Sequence, residues 1–541
     1  MSDDHRPWMR PASDSDAPGS DTRTTTTTGR SAPPATSDAP SLPIRAASLE
    51  MPGAVEDSRS GSAPVAATGA AAAARRRWLL PAAVAVAATI AVGLVVSRSG
   101  DDTAPAASDP SAATSVHGPA ESRGDRRIRL VGDLLKRRVA ALRAGDQAGW
   151  LADLDSADTP SITFEKTRFA NLRRLAPTSF DLRLGQFRSG MFATTQQTSV
   201  RVTINQIAQL AADIERSAYA YDWTVAFDGD QIRISDITPS TEPSLYKEPL
   251  TNPPFDMVPL RTATSSGVTV LAATTGRWDP KAYLPAAQRA AKLVRSLWGR
   301  RPHAVPGFVI FLADHQQFGA WYDNGTGRGA AVGVTVFPQV VEADGTGRLA
   351  RPNPTVMHKP NEPSWIQRGA GARIVLDMSQ LDGTRQAQTV MAHEMAHAIG
   401  PHLIQAVHAD FGPKGTSNQA TWPIEGFARW VEFLDQPGYA TSAMRAVRAG
   451  RATYHPAGPF PASDNFYAAN PRRQSFNYNL SSSMFLAAEQ AGGRQKAVDL
   501  YICLTNQMEY MAETEMFINT CISGVGLDPT KVWALHKRLT T

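Results

Sequence analysis

The segment His393-Glu394-Met395-Ala396-His397 places two histidines four residues apart, with a glutamate beside the first. On a helix, positions four apart lie one turn apart on the same face, so both imidazoles can reach one metal ion. Histidine nitrogens suit Zn²⁺, and an adjacent carboxylate can take a proton from a zinc-bound water. The chemistry implied is hydrolysis. The competing structural reading is a buried helix whose histidines are incidental.

A catalytic zinc takes three protein ligands and leaves one position for water. His402, His408 and Asp410 follow the motif. In the pattern H-E-x-x-H-x-x-G-x-x-H, Gly400 fits the glycine but Leu403 stands where the third histidine belongs, so His402 is one residue out of register. His408 and Asp410 fit no ligand spacing. Glu425 is the better candidate. It stands in Thr421-Trp422-Pro423-Ile424-Glu425-Gly426-Phe427-Ala428-Arg429-Trp430-Val431-Glu432, where Pro423 suits a first helical turn and apolar residues recur at helical spacing. A glutamate in that turn projects toward the first helix if the two pack side by side. Its bland reading is an acid favoured by the helix dipole.

H-E-x-x-H followed a few dozen residues on by a W-x-x-E-G-x-A helix resembles the zinc site of the gluzincin metallopeptidases, the group that includes thermolysin-like enzymes. The resemblance implies His393, His397 and Glu425 as Zn²⁺ ligands, Glu394 as the catalytic base and a peptide or protein as substrate. It covers about residues 370–435 in detail. The thermolysin subgroup has an Asp four residues after its third ligand, and this chain has Arg429 there, which sets it apart from that subgroup. The resemblance also implies a Tyr or His that supports the oxyanion. Tyr478, ahead of an expected helix in Phe476-Asn477-Tyr478-Asn479-Leu480, fits that place. Tyr467, Tyr454 and His455 compete, and a packing role for Tyr478 is the alternative.

The elements that must position these groups are legible nearby. Residues 385–399 contain no Pro or Gly, Asp382 or Thr384 offers an N-cap, and Gly400-Pro401 ends the helix. Met391, Ala392, Met395, Ala398 and Ile399 share one side of it, and His393 and His397 lie on roughly the other. Residues 370–378 read as a strand, expected at a sheet edge where an extended substrate can pair. Residues 267–273 and 307–312 are strand candidates, 280–298 is an amphipathic helix, 314–321 is a second helical candidate, and 325–333 and 345–347 are loop material. The expectation for 250–541 is a zinc metallopeptidase domain, a mixed α/β half followed by a helical half with the cleft between.

Ahead of it, 125–245 reads as a small α+β domain. Helical periodicity covers 128–144, and a further helix begins at Asp146. Strands are expected at 198–204, 219–227 and 231–237, the last two joined as a hairpin through Asp228-Gly229-Asp230. Helices followed by an antiparallel sheet, with Ala-Leu-Arg-Ala-Gly-Asp at 141–146, resemble an NTF2-like domain. That resemblance names a shape, not a function. The fold class expected for the whole is α+β.

Residues 1–74 are low in complexity and are expected to form a disordered tail. Arg75-Arg76-Arg77 precede an uncharged run at 78–96, long enough to cross a bilayer as a helix. The positive-inside rule then makes 75–98 a signal anchor, with the tail cytoplasmic and the rest of the chain outside the membrane. A cleaved signal peptide is the alternative. Residues 99–124 read as a linker. Cys503 and Cys521 are the two cysteines, free to pair in an oxidising compartment or to stay as buried thiols. With 55 basic and 50 acidic residues, and no basic cluster interleaved with aromatics, nucleic-acid binding is not supported. Two alternatives to a peptidase stand at this level: a non-catalytic binding or scaffold protein on a peptidase fold, and a zinc hydrolase of a non-peptide cell-wall amide.

Overall fold

The structure is a computed structural model. It describes residues 121–185, 198–240, 256, 258–323, 331–338, 340, 369–401, 403, 420–456, 458–468, 470–505 and 514–541. All of them belong to one compact unit, Arg59–Thr541. The fold is mixed α+β, built on two sheets.

Helix α1 (Arg123–Ala144) starts where the Ser122 hydroxyl accepts the Asp125 N–H and stops at Gly145, in the left-handed conformation at φ +74°. Asp146 then caps the short α2 (Gln147–Leu151), and Asp158 caps α3 (Thr159–Leu175). Four antiparallel strands follow in order β1 (Ser179–Leu184), β2 (Ser199–Gln209), β3 (Ser217–Asp228) and β4 (Gln231–Pro239). The expected hairpin joins β3 to β4, with Gly229 at φ +59° in its two-residue turn. Alternate residues such as Val200, Val202 and Ile204 turn inward and meet Leu134, Trp150 and Leu172 of the helices.

The second sheet has the order β5 (Leu260–Ser265), β6 (Val268–Ala273), β7 (Phe308–Ala313), β9 (Arg373–Asp377) and β8 (Gly333–Val336). β6, β7 and β9 run parallel, and the two outer strands run antiparallel to their neighbours. Every residue of β7 and β9 is buried, as expected for parallel strands covered on both faces. On one face Val270, Ile310 and Ile374 pack against α4 (Pro280–Trp298) and α6 (Gly383–Ala398). On the other, Leu271, Phe311 and Val375 meet Leu210, Trp321 and Phe318, the last from the short α5 (His315–Phe318).

The two sheets are tied together. Arg373 at the start of β9 donates from Nη1 and Nη2 to the two oxygens of Asp213, at 2.6 and 2.9 Å, and both side chains are buried. The Ile214 N–H donates to the Ala370 carbonyl at 2.8 Å. A Cβ at Gly371 would lie 2.0 Å from Asp213 Oδ1, so the backbone approaches as closely as this only because residue 371 is glycine.

A helical half completes the chain: α7 (Thr421–Asp435), α8 (Pro437–Tyr454), α9 (Pro471–Gly492), α10 (Arg494–Thr505), α11 (Glu515–Gly524) and α12 (Pro529–Thr540). Cys503 and Cys521 form a disulfide between α10 and α11.

Several expectations change. The strand at 373–377 is not an edge: it lies between β7 and β8, and among the described residues the four-residue β8 is the edge. Helix α3 and strands β1, β5 and β8 are additions. The membrane anchor is overturned. Among the described residues no helix is long and apolar enough to cross a membrane. The longest, α1 and α9 at 22 residues each, begin with charged residues such as Arg123, Asp125, Arg472 and Arg473. The run at 78–96 on which the anchor rested lies outside the described residues, and placement of the chemistry outside a membrane falls with it.

Candidate metal centre

Helix α6 starts after Asp382, at Gly383 with φ +77°. Its apolar side, Ala387, Met391, Ala392, Met395 and Ala398, enters the main core. His393, Glu394 and His397 are buried too. Polar contacts with α7 fix the register at the start of α6: Gln388 Nε2 and the Thr389 hydroxyl donate to the two oxygens of Asp435, at 2.6 and 3.0 Å.

Glu425 sits in the second turn of α7, opposite the two histidines. The glycine after it has a packing cause. A Cβ at Gly426 would lie 2.7 Å from the backbone carbon of Ser481 on α9, so only glycine lets α7 settle this close to α9. The result brings Glu425 Oε2 to 3.2 Å from His393 Nε2 and 3.4 Å from His397 Nε2. One atom from each of the three residues lies within 4.8 Å of the others, and all three side chains are buried. This group could hold a metal ion.

Glu432 was not foreseen as part of the site. Seven residues after Glu425, it lies two turns along the same face of α7 and accepts from His393 Nδ1 at 2.6 Å. A carboxylate on Nδ1 orients the ring and leaves Nε2 to act as a ligand. Arg429 holds Glu432 in turn, donating from Nη1 at 2.5 Å, with further bonds to Asn479 and to the Tyr439 hydroxyl. Arg429 thus supports an acid three residues on.

Glu394 points to the sheet. Its Oε2 accepts from the Thr335 hydroxyl of β8 at 2.8 Å. A Cβ at Gly333 would meet Glu394 Oε1 at 2.7 Å, so a glycine lets the strand lie against this carboxylate.

Electrostatics separates the carboxylates. Burial pushes Glu394 up, with His393 and His397 opposing. Burial also acts on Glu425 and Glu432, but is outweighed there: His397 and His393 hold Glu425 well below the usual range, and Arg429 and His393 hold Glu432 down. Burial lowers His393, yet its bonds to Glu425 and Glu432 carry it up to about 10.

The donor set could hold a metal ion. It offers two imidazole Nε2 atoms and one carboxylate oxygen, with a carboxylate behind one imidazole. His397 Nδ1 is buried with no hydrogen-bond partner among the described residues.

Tyr478 lies inside α9 rather than ahead of it, with its ring centroid 6.0 Å from that of His393. Burial and the nearby Glu425, Glu394 and Glu432 push its hydroxyl well above the ordinary range. Tyr467 donates from its hydroxyl to Glu425 Oε1 at 2.5 Å. Tyr454 packs on Phe476 in a separate apolar cluster, and His455 ends α8. His402, His408 and Asp410 lie outside the described residues.

No protein-family profile matches the chain, and no curated protein matches it. The functional reading therefore rests on the site.

Proposed function

We propose that the chain is a zinc-dependent hydrolase of peptide bonds, of the gluzincin kind. The observation that carries this reading is the convergence of His393, His397 and Glu425, with Glu394 held beside them by Thr335. His393, His397 and Glu425 are the ligands, and Glu432 fixes the first of them. When bound, Zn²⁺ brings the pKa of its water toward about 7 and polarises the scissile carbonyl.

Glu394 takes the proton of the attacking water and hands it to the leaving amine. Its burial raises its affinity for that proton. Thr335 holds one carboxylate oxygen, which leaves the other, lying against Gly333, to take the proton. The outer edge of β8 pairs with an extended peptide, which brings the substrate backbone past Glu394. Tyr478, on α9 beside His393, is the candidate oxyanion donor. In this reading the second sheet and the helical half are the two sides of a zincin cleft. The first sheet with α1–α3 is an NTF2-like accessory unit.

The test is cleavage of a mixed peptide library by the zinc-loaded full chain, followed by mass spectrometry, with Glu394→Gln as control. New termini from the parent and none from the variant are expected. Cleavage by both at equal rates would mean that Glu394 is not the base.

A further inference from the structure

The strongest unused feature of the site is the division of labour between the two oxygens of Glu425. Oε2 faces both histidine Nε2 atoms. Oε1 accepts from Tyr467. Tyr467 is an unusual residue in this fold: 60 % exposed, it is one of two large hydrophobic side chains left in solvent among the described residues. Its ring meets those of Phe466 and Tyr478 edge-on, with centroids 5.4 and 6.5 Å apart, and its hydroxyl reaches past them to Glu425. Its backbone is held firmly. Phe466 next to it is fully buried. Asn477 of α9 donates to the carbonyls of Asn465 and Phe466, at 3.1 and 2.8 Å. The Ser463 hydroxyl accepts the first N–H of α7, from Thr421, at 3.0 Å. The segment is thus fastened to the helix that carries Glu425 and to the helix that carries Tyr478. That leaves a rim residue whose hydroxyl reaches inward to one carboxylate oxygen.

We infer that Tyr467 is a positioning residue of the metal centre: it engages Oε1 of Glu425 so that this carboxylate offers the metal a single oxygen. The inference rests on the metal-site reading above. A carboxylate with both oxygens free can turn and bind through both, filling the position that a reacting water needs. A hydroxyl on Oε1 prevents that turn and fixes the ligand's orientation, as partners behind metal ligands generally do.

The test compares the full chain with Tyr467→Phe, which keeps the ring and removes the hydroxyl. Zn²⁺ affinity is measured by competition with a chromophoric chelator, and the visible spectrum is recorded after Co²⁺ substitution. The expected result is a loss of about 10- to 100-fold in zinc affinity. The cobalt bands should weaken as the coordination number rises, and the metal-free variant should melt with the parent. Equal affinity and an unchanged cobalt spectrum would overturn the inference and leave the metal site intact. A metal-free variant that melts lower than the parent would also overturn it, because the hydroxyl would then serve the fold. A parent that takes up no zinc would overturn the metal-site reading, and this inference with it.

Discussion

Arg138, Glu165 and Arg168 on the helices that cover the first sheet and His393, His397 and Glu425 beside the second are all buried, yet their atoms are arranged in different ways. In the first group, Glu165 is shared: one oxygen accepts from Arg138 and the other from Arg168, at 2.7 Å for the latter. Gln206 takes two more bonds from Arg168, and the rings of Trp150, Trp223 and Tyr221 lie against the two guanidinium groups. Asp256 nearby is pushed up to about 7 by burial, with Arg168 opposing. Each cation there finds an anion or a ring face, although Arg138 Nε and Nη1 and Gln206 Nε2 are buried without a hydrogen-bond partner among the described residues. In the second group, two ring nitrogens and a carboxylate oxygen are aimed at one another, and the supporting bonds, of Glu432 to His393 and of Tyr467 to Glu425, attach from outside. Buried charge alone does not mark a functional site. What sets the second group apart is that its ligand-type atoms converge, with partners placed behind them.

The largest effect expected from breaking this contrast is on catalysis. Glu394→Gln should lower kcat by about 10²- to 10⁴-fold, the usual worth of a general base, while zinc content stays at the parent level. Next is the other cluster. Glu165→Leu strands two buried guanidinium groups, and loss of one partner of a buried pair costs about 3–5 kcal/mol. Urea unfolding should show that loss with no change in zinc uptake; a cost below about 1 kcal/mol would mean the arginines are satisfied without Glu165.

A third buried group sharpens the comparison. His393, among carboxylates, is carried up, whereas burial takes His536 of α12 down to about 4. The unfolded chain takes a proton on His536 near pH 6.5 and the folded chain does not until about 4. Stability from this residue is therefore complete above about 6.5 and falls as pH drops toward 4, by about 3 kcal/mol in all. Replacing His536 with Gln should flatten the stability profile over that interval; an unchanged slope would assign it to other groups. The smallest effect expected is at Thr335. Thr335→Val removes one hydrogen bond to a carboxylate and should lower kcat about tenfold with KM held. Thr335→Ser should restore it, and a change in KM alone would reduce Thr335 to a substrate contact.

The sequence carried the site unevenly, for physical reasons. The amphipathic pattern of 280–298 is realised as helix Pro280–Trp298, because Asp279 caps it, Gly299 ends it and one face meets the sheet. The motif helix and the Trp422–Ala428 segment were legible because ligand spacing and helical period agree there. Glu432 was not, since a glutamate on an amphipathic helix looks like any solvated acid until α7 is laid against α6. Thr335 was hidden for another reason. β8 is four residues long, begins with glycine and pairs with a strand that comes well after it in the chain, so no local pattern announces it. Tyr467 was legible only as one tyrosine among several, since its role depends on where a short segment is pinned. The edge strand was misplaced because 373–377 is apolar enough to be central, and the structure puts it there.

The most direct measurement is the zinc content of the purified full chain beside His397→Ala and Glu425→Ala. The account predicts one zinc per chain in the parent and loss of zinc in both variants. A parent without zinc after reconstitution, or zinc retained when Glu425 is replaced, would contradict it.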